Sequence, residues 1–259
     1  MWEILQGDHL EIMPKHIEDE SIDLTVTSPP YDNLRDYTGY EFDYKKLAKE
    51  LYRVTKPGGV VVWVVGDATV KGSETGTSFR QALYFKEIGF NLHDTMIYGK
   101  NSYMPLTHNR YEQAFEYMFV FTKRKPKTFN PLMVQSSTAG TKRNRGGSKA
   151  NEFSYAERLR TEKTTVNAEK QYPNIFYYDV GKGDKTNHNA PFPEQLANDH
   201  IITWSNPGDT IFDPMAGSGT VLKAAEQLGR NSIGIEISEE YCDIIKKRMA
   251  NFQMTIFNL

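Results

Sequence analysis

Two short runs of the chain are apolar or small at nearly every position. Ile22 to Thr27 (IDLTVT) ends in Ser-Pro-Pro, and Val60 to Val65 (VVVWVV) follows Pro57-Gly58-Gly59 and ends at Gly66-Asp67. Runs of this length bounded by turn residues read as buried strands. Between them, from Asp43 to Val54, Leu47, Leu51 and Val54 recur at helical spacing with Lys and Glu elsewhere. The segment therefore predicts strand, helix, strand, and with it a parallel sheet. Phe79 to Ile88 predicts a further helix, and Asn91 to Tyr98 and Glu116 to Thr122 predict strands rich in aromatic and β-branched residues.

Beyond Lys123 the periodicity stops. Thr138 to Lys149 (TAGTKRNRGGSK) is rich in Gly, Ser and cations and predicts a loop or disordered tract that builds no core. Order resumes at Ile175 to Val180, followed by a helix from Pro193 to Trp204 and a turn at Asn206-Pro207-Gly208-Asp209 into a strand at Thr210 to Phe212. A helix at Val221 to Leu228 closed by Gly229, a strand at Ser232 to Ile237 and a helix from about Glu239 to Met249 complete the pattern. The chain divides into an α/β part at 1–122, an insertion at 123–185 and a second α/β part at 186–259.

Composition narrows the function. With 259 residues, 39% hydrophobic and 25% charged, the chain can bury a sizeable core. A single cysteine, Cys242, excludes an internal disulfide or a cysteine-based zinc site. His93, His108, His188 and His200 show no metal spacing, and no metal is expected. No apolar run is long enough to span a bilayer and no basic leader is evident, so a cytoplasmic location without membrane contact is expected. The net charge of −2 hides an asymmetry. Residues 123–185 carry 14 Lys and Arg against 6 Asp and Glu, so the remainder is near −10. Cations gathered in one segment suit a phosphate-facing surface, although a solvated insertion would look the same.

Phe212-Asp213-Pro214-Met215-Ala216-Gly217-Ser218-Gly219-Thr220 lies between a predicted strand and helix. Two glycines there let the backbone approach a ligand, and the helix start offers free N–H groups. No lysine follows Gly219, which rules out a P-loop, and the third small position of a dinucleotide fingerprint falls on Leu222. Glu236 follows Asp213 by 23 residues, the spacing at which an acid at the end of the next strand grips the two hydroxyls of a ribose. A tight turn with a surface glutamate would share these features, but the whole DPMAGSGT string is more specific.

Thr27-Ser28-Pro29-Pro30-Tyr31 follows directly on a buried strand, at the edge where parallel sheets bind ligands. A Pro-Pro turn alone is commonly structural. Its chemistry here is nonetheless legible. An aromatic amine attacks poorly because its lone pair is delocalised, and acceptors on both N–H bonds favour the tetrahedral geometry that attack requires. Ser28 Oγ can accept one such bond and the carbonyl of Pro29, held in a stiff turn, the other. Tyr31 can stack on a base extruded from its helix. Arg35 and Tyr37 are candidates to border that base. Phe176-Tyr177-Tyr178 could stack on bases too, but reads equally as a half-buried strand.

Together these two motifs resemble those of the amino-methylating DNA methyltransferases, and their order resembles the family's beta arrangement, over nearly the whole chain. The resemblance implies a Rossmann-like α/β fold with a doubly wound, mostly parallel sheet. It implies S-adenosylmethionine as cofactor, held by Asp8 in QGDHLEIM, by Phe192 in HNAPFP, by Asp213, Pro214, Ala216, Gly217, Ser218, Gly219 and Thr220, and by Glu236. Ser28, Pro29, Pro30 and Tyr31 become the catalytic residues. Segment 123–185 becomes the target-recognition region, with Arg35, Lys142, Arg143, Arg145 and Lys149 toward duplex DNA. Ser rather than Asp before Pro-Pro-Tyr favours the 4-amino group of cytosine, with the 6-amino group of adenine as the alternative. The family also suggests a homodimer and a cognate restriction endonuclease system. An RNA base methyltransferase and a DNA-binding module that has lost catalysis are the competing readings.

Overall fold

A computed structural model describes residues 1–30, 42–102, 109–147, 159–179 and 193–257. Along the chain these form β1 (Trp2–Gln6), α1 (His9–His16), β2 (Ile22–Thr27), α2 (Tyr44–Val54), β3 (Thr55–Val65), the short β4 (Thr69–Val70) and β5 (Ser73–Glu74), and α3 (Thr77–Glu87). Then come β6 (Asn91–Lys100), β7 (Phe115–Thr122), β8 (Met133–Gln135), β9 (Lys142–Gly147), β10 (Leu159–Thr165), β11 (Glu169–Gln171) and β12 (Ile175–Tyr178). The chain ends with α4 (Glu194–Trp204), β13 (Thr210–Asp213), α5 (Thr220–Gln227), β14 (Asn231–Glu236) and α6 (Glu239–Phe257).

Residues 1–130 and 174–259 form one compact unit, and Pro131–Pro173 a second. The basic stretch expected as an insertion at 123–185 thus gives its first residues and β12 to the main unit.

The main unit holds an eight-stranded sheet in the order β1-β14-β13-β2-β3-β7-β6-β12. From β1 to β3 every neighbour is parallel; β7 is antiparallel to both β3 and β6, and β12 is parallel to β6. The sheet is doubly wound, as the resemblance implied. On one face α1, α2 and α3 bury Met13, Leu47, Leu51 and Phe85 against Trp63, Phe121 and Phe212. On the other, Leu222 of α5 and Ile245 and Met249 of α6 pack with Trp2 and Ile4 of β1. Strands β2 and β3 are buried on both faces at their centres; Val60–Val65 of β3 is an unbroken apolar run, whereas β2 alternates Ile22, Leu24 and Val26 with the buried polar Asp23, Thr25 and Thr27.

The elements follow local rules. Asp43 caps α2, its carboxylate accepting from the N–H groups of Lys45 and Lys46. The Pro57-Gly58-Gly59 turn sits where the β2–β3 register jumps from Ile22↔Thr55 to Leu24↔Val60, so it is absorbed as a bulge within a longer strand. Ile175–Tyr178 is the half-buried strand of the two readings, with Phe176 and Tyr178 inward. His200 is a core group, and burial lowers its pKa to about 4.

One expectation fails. Lys142–Gly147, inside the tract read as loop, is a strand paired antiparallel with Leu159–Thr165. A two-stranded ribbon satisfies its backbone through the ladder and needs no apolar period, so composition could not reveal it.

Trp63, fully buried at the centre of the sheet, donates from Nε1 to Gln81 Oε1 of α3 at 2.8 Å. Gln81→Leu leaves that N–H without an acceptor. The variant is expected to lose about 1–3 kcal/mol of stability, read as a lower urea midpoint; an unchanged midpoint would show that the bond contributes nothing.

Candidate active site

Because β1, β14, β13, β2 and β3 are mutually parallel, their carboxyl ends lie along one rim, in the order Gln6, Glu236, Asp213, Thr27, Val65. The chain winds from β2 outward to β3 and from β13 the opposite way to β14. The boundary between β2 and β13 is therefore a topological switch point, where open α/β sheets form their ligand crevice. The proline turn leaves β2 and the glycine loop leaves β13, so the two motifs meet at that boundary.

Their junction is a buried side-chain bond. Thr27 Oγ1 donates to Asp213 Oδ1 at 2.8 Å, across 186 residues of sequence. The same oxygen accepts from the N–H of Met215 at 3.1 Å. Ser28 and Pro30 beside it are half-buried and Pro29 is buried.

The glycine loop is held from both sides. Glu236 Oε2 accepts from the N–H of Gly217 at 2.8 Å, and Oε1 accepts from the N–H of Ser238 at 2.9 Å. Gly219 starts α5 at φ +80°, and a Cβ there would come within 2.8 Å of Ile245, so glycine is required. Arg248 of α6 donates from Nη1 to the carbonyl of Ser218 at 3.1 Å and lies 3.4 Å from Ser218 Oγ and Thr220 Oγ1. Glu194 pairs with Lys223 at 2.8 Å and with Arg248 at 3.7 Å. Pro214, Ala216, Ser218, Gly219 and Thr220 are buried, leaving Gly217 and Met215 as the more open positions of the loop.

Asp8 follows β1 and caps α1 by accepting from the N–H of Leu10 at 2.8 Å. It is brought beside Glu236 by the Gln6↔Glu236 register and by Gly7 N–H donating to the Glu236 carbonyl at 3.0 Å. Asp8, Glu236, Gly217 and Ser28 thus share one rim. Lys142, Arg143 and Arg145 are positions of β9 in the second unit. Tyr31, Arg35, Tyr37, Lys149 and Phe192, with His108 and the residues from His188 to Pro191, lie outside the described residues.

A family model described as DNA methylase matches residues 22–247. The orphan methyltransferase M.BamHII of Bacillus amyloliquefaciens is 53% identical over 249 residues, 93% of each chain. Among solved structures, the M1.HpyAVI complex with S-adenosylmethionine is 25% identical, with a TM-score of 0.63, covering 96% of this chain and 100% of that one. PvuII DNA methyltransferase (cytosine-N4-specific) has a TM-score of 0.72 at 22% identity, covering 95% and 85%; this is a likeness of fold. The chain belongs to the N6/N4 family of DNA methylases.

Methylases of this family are S-adenosylmethionine-dependent amino-methyltransferases, and the rim fits that cofactor. Both oxygens of Glu236 accept from backbone N–H groups, and a carboxylate so oriented has acceptor capacity of the kind a ribose hydroxyl would use. Gly217 leaves the backbone open beside it. Among the described residues no group of three or more His, Cys, Asp or Glu could hold a metal ion, and no helix is long and apolar enough to cross a membrane.

Several residues of the methylase escape sequence reasoning. Arg248 and Glu194 sit in helices whose charges read as ordinary solvated faces. Asp67, at the end of β3, caps α3 from a distance: it accepts from Ser78 N–H at 2.9 Å and Ser78 Oγ at 2.5 Å, supplying what Gly76 at the N-cap lacks. Thr27 reads as one more strand residue until its partner is known.

Burial raises the Asp213 carboxyl to a pKa of about 7, opposed by the Thr27 and Met215 bonds and reinforced by the charge of Glu236. Burial likewise raises Glu236. A folded-state pKa above the unfolded value means that the native protein binds the proton more tightly. Its stability therefore falls as pH rises from about 4 to about 7. The effect of Asp213 is about 4 kcal/mol at most. Asp213→Asn removes this titration, so its stability is expected to decline less than that of the wild type across the window. Parallel denaturation profiles for the two proteins would contradict the assignment.

Proposed function

We propose that this methylase transfers a methyl group to the 4-amino nitrogen of cytosine in duplex DNA. The observation that carries the reading is the Thr27–Asp213 bond, which joins the Ser28-Pro29-Pro30 turn to the loop that faces Glu236. S-adenosylmethionine, when bound, supplies a methyl carbon on a good leaving group, so the chain itself needs no strong base. Its task is to hold the amine. Ser28 Oγ and the Pro29 carbonyl accept from the two N–H bonds of the target, drawing the nitrogen lone pair out of the ring, and Tyr31 stacks on the extruded base with Arg35 at its border. Asp8, Phe192, Glu236 and the loop from Asp213 to Thr220 are the proposed cofactor residues.

Serine as the first residue of the proline motif favours cytosine over adenine. DNA binding rests on the basic segment. Strands β9 and β10 carry Lys142, Arg143, Arg145, Arg160 and Lys163 against Glu162 alone. A two-stranded antiparallel ribbon matches the width of the DNA major groove, and its charge suits the phosphates that flank it, with Lys149 just beyond β9.

Expression in a methylation-free host followed by nucleoside analysis and sequencing of the DNA tests the target. N4-methylcytosine in a fixed context is expected; N6-methyladenine would move the assignment to the other base of the family, and label found only in RNA would overturn a DNA substrate.

Roles within the site separate by kinetics. Ser28→Ala is expected to lower kcat by about 10²–10³-fold with little change in cofactor affinity. Glu236→Ala is expected to weaken cofactor binding at least tenfold, measured by calorimetric titration. Equal effects of both variants on both quantities would contradict the division of labour.

A further inference from the structure

The sheet opens where the two motifs meet. Strand β2 pairs with β3 as far as Thr27↔Trp63, and β13 pairs with β14 as far as Asp213↔Gly234. Between themselves, however, β2 and β13 pair only at Leu24↔Ile211 and Thr25↔Phe212. The backbone ladder stops before the strand ends. Past that point Thr27 Oγ1 donates to Asp213 Oδ1 at 2.8 Å.

We infer that Thr27 is a positioning residue for methyl transfer, its hydroxyl fixing the distance between the Ser28-Pro29-Pro30 turn and the glycine loop through Asp213. The inference rests on the reading of that turn and loop as the catalytic and cofactor halves of the site. Thr27 immediately precedes Ser28, so any movement of its side chain is passed directly to the proposed amine acceptors. Asp213 Oδ1 also accepts from Met215 N–H, two residues before Gly217, whose own N–H is held by Glu236. One oxygen atom therefore connects both halves.

The chemistry of the pair argues against a merely structural role. Thr27 and Asp213 are both buried. A valine and a leucine could fill such a space without desolvating a carboxylate, and buried polar pairs are often less stabilising than apolar residues of similar volume. What a short directional bond adds is a defined separation, with little freedom at χ1 because threonine is β-branched. In-line transfer is sensitive to such a separation: a misplacement of about 1 Å can cost about 10²-fold in rate. Asp213, assigned from sequence to cofactor binding, on this reading acts through Thr27 and Met215.

Thr27→Val keeps the shape and removes the hydroxyl, and Thr27→Ser keeps the hydroxyl. Single-turnover methylation of duplex DNA at saturating S-adenosylmethionine is normalised to cofactor-binding sites counted by calorimetry, so that misfolded protein does not contribute. The Val variant is expected to lose about 30–100-fold in rate while its cofactor affinity stays within about threefold of wild type. The Ser variant is expected to recover to within about fivefold of wild type. If Val precipitates, Thr27→Ala carries the same expectation. A hydroxyl-free variant within threefold of the wild-type rate overturns the inference, as does a Ser variant as slow as Val. Wild-type protein that methylates no DNA would instead defeat the underlying reading of the site, and that result is seen before any variant is compared.

Discussion

Strands β2 and β13 must lie side by side and yet part at their carboxyl ends, and that constraint governs the site. Side by side, they bring together two segments 186 residues apart. Past Thr25 and Phe212 their backbone pairing stops, while β2 stays paired with β3 and β13 with β14. Reversal of winding direction at this boundary makes the opening unavoidable, because the connections from the two strands leave toward opposite edges of the sheet. The bond from Thr27 to Asp213 joins them there. Everything proposed for catalysis presumes that this gap has one width.

The rim is unusually acidic for a protein that handles DNA. Asp213 and Glu236 are both buried there, each pushed toward its neutral form by burial, and Glu236 adds its charge to the shift of Asp213. Asp8 stands beside them at the end of β1. The backbone N–H groups of Met215, Gly217 and Ser238 temper the cost of the carboxylates by donating to them. The same bonds order the loop.

Much of this was legible in the chain because burial leaves a strong mark on parallel strands. VVVWVV is apolar on both faces since both faces are covered, IDLTVT is buried throughout although Asp23, Thr25 and Thr27 alternate with its apolar residues, and Leu47, Leu51 and Val54 face the core at the spacing that announced them. The motif residues stood out because the whole DPMAGSGT string is more specific than two close glycines followed by an acid. Order across the sheet was not. Nothing in Thr27 foretells Asp213, nothing in Arg248 foretells the carbonyl of Ser218, and Gln81 reads as a surface residue until Trp63 is seen to need an acceptor. Strand β9 was hidden for another reason: in a two-stranded ribbon the ladder alone sets the structure, and a core leaves no imprint on the sequence.

Charge is divided unevenly along the chain. Residues 123–185 hold a surplus of eight positive charges, and the remainder a deficit near ten. A catalytic sheet that was itself strongly cationic would attract phosphates to its whole surface and repel a sulfonium from its crevice. The second unit, Pro131–Pro173, carries eight Lys and Arg against four Asp and Glu, so on the proposed reading part of that surplus is held apart from the unit that carries the rim. On this argument the −2 overall is no objection to a nucleic-acid substrate. It is the sum of two opposite requirements, each met locally.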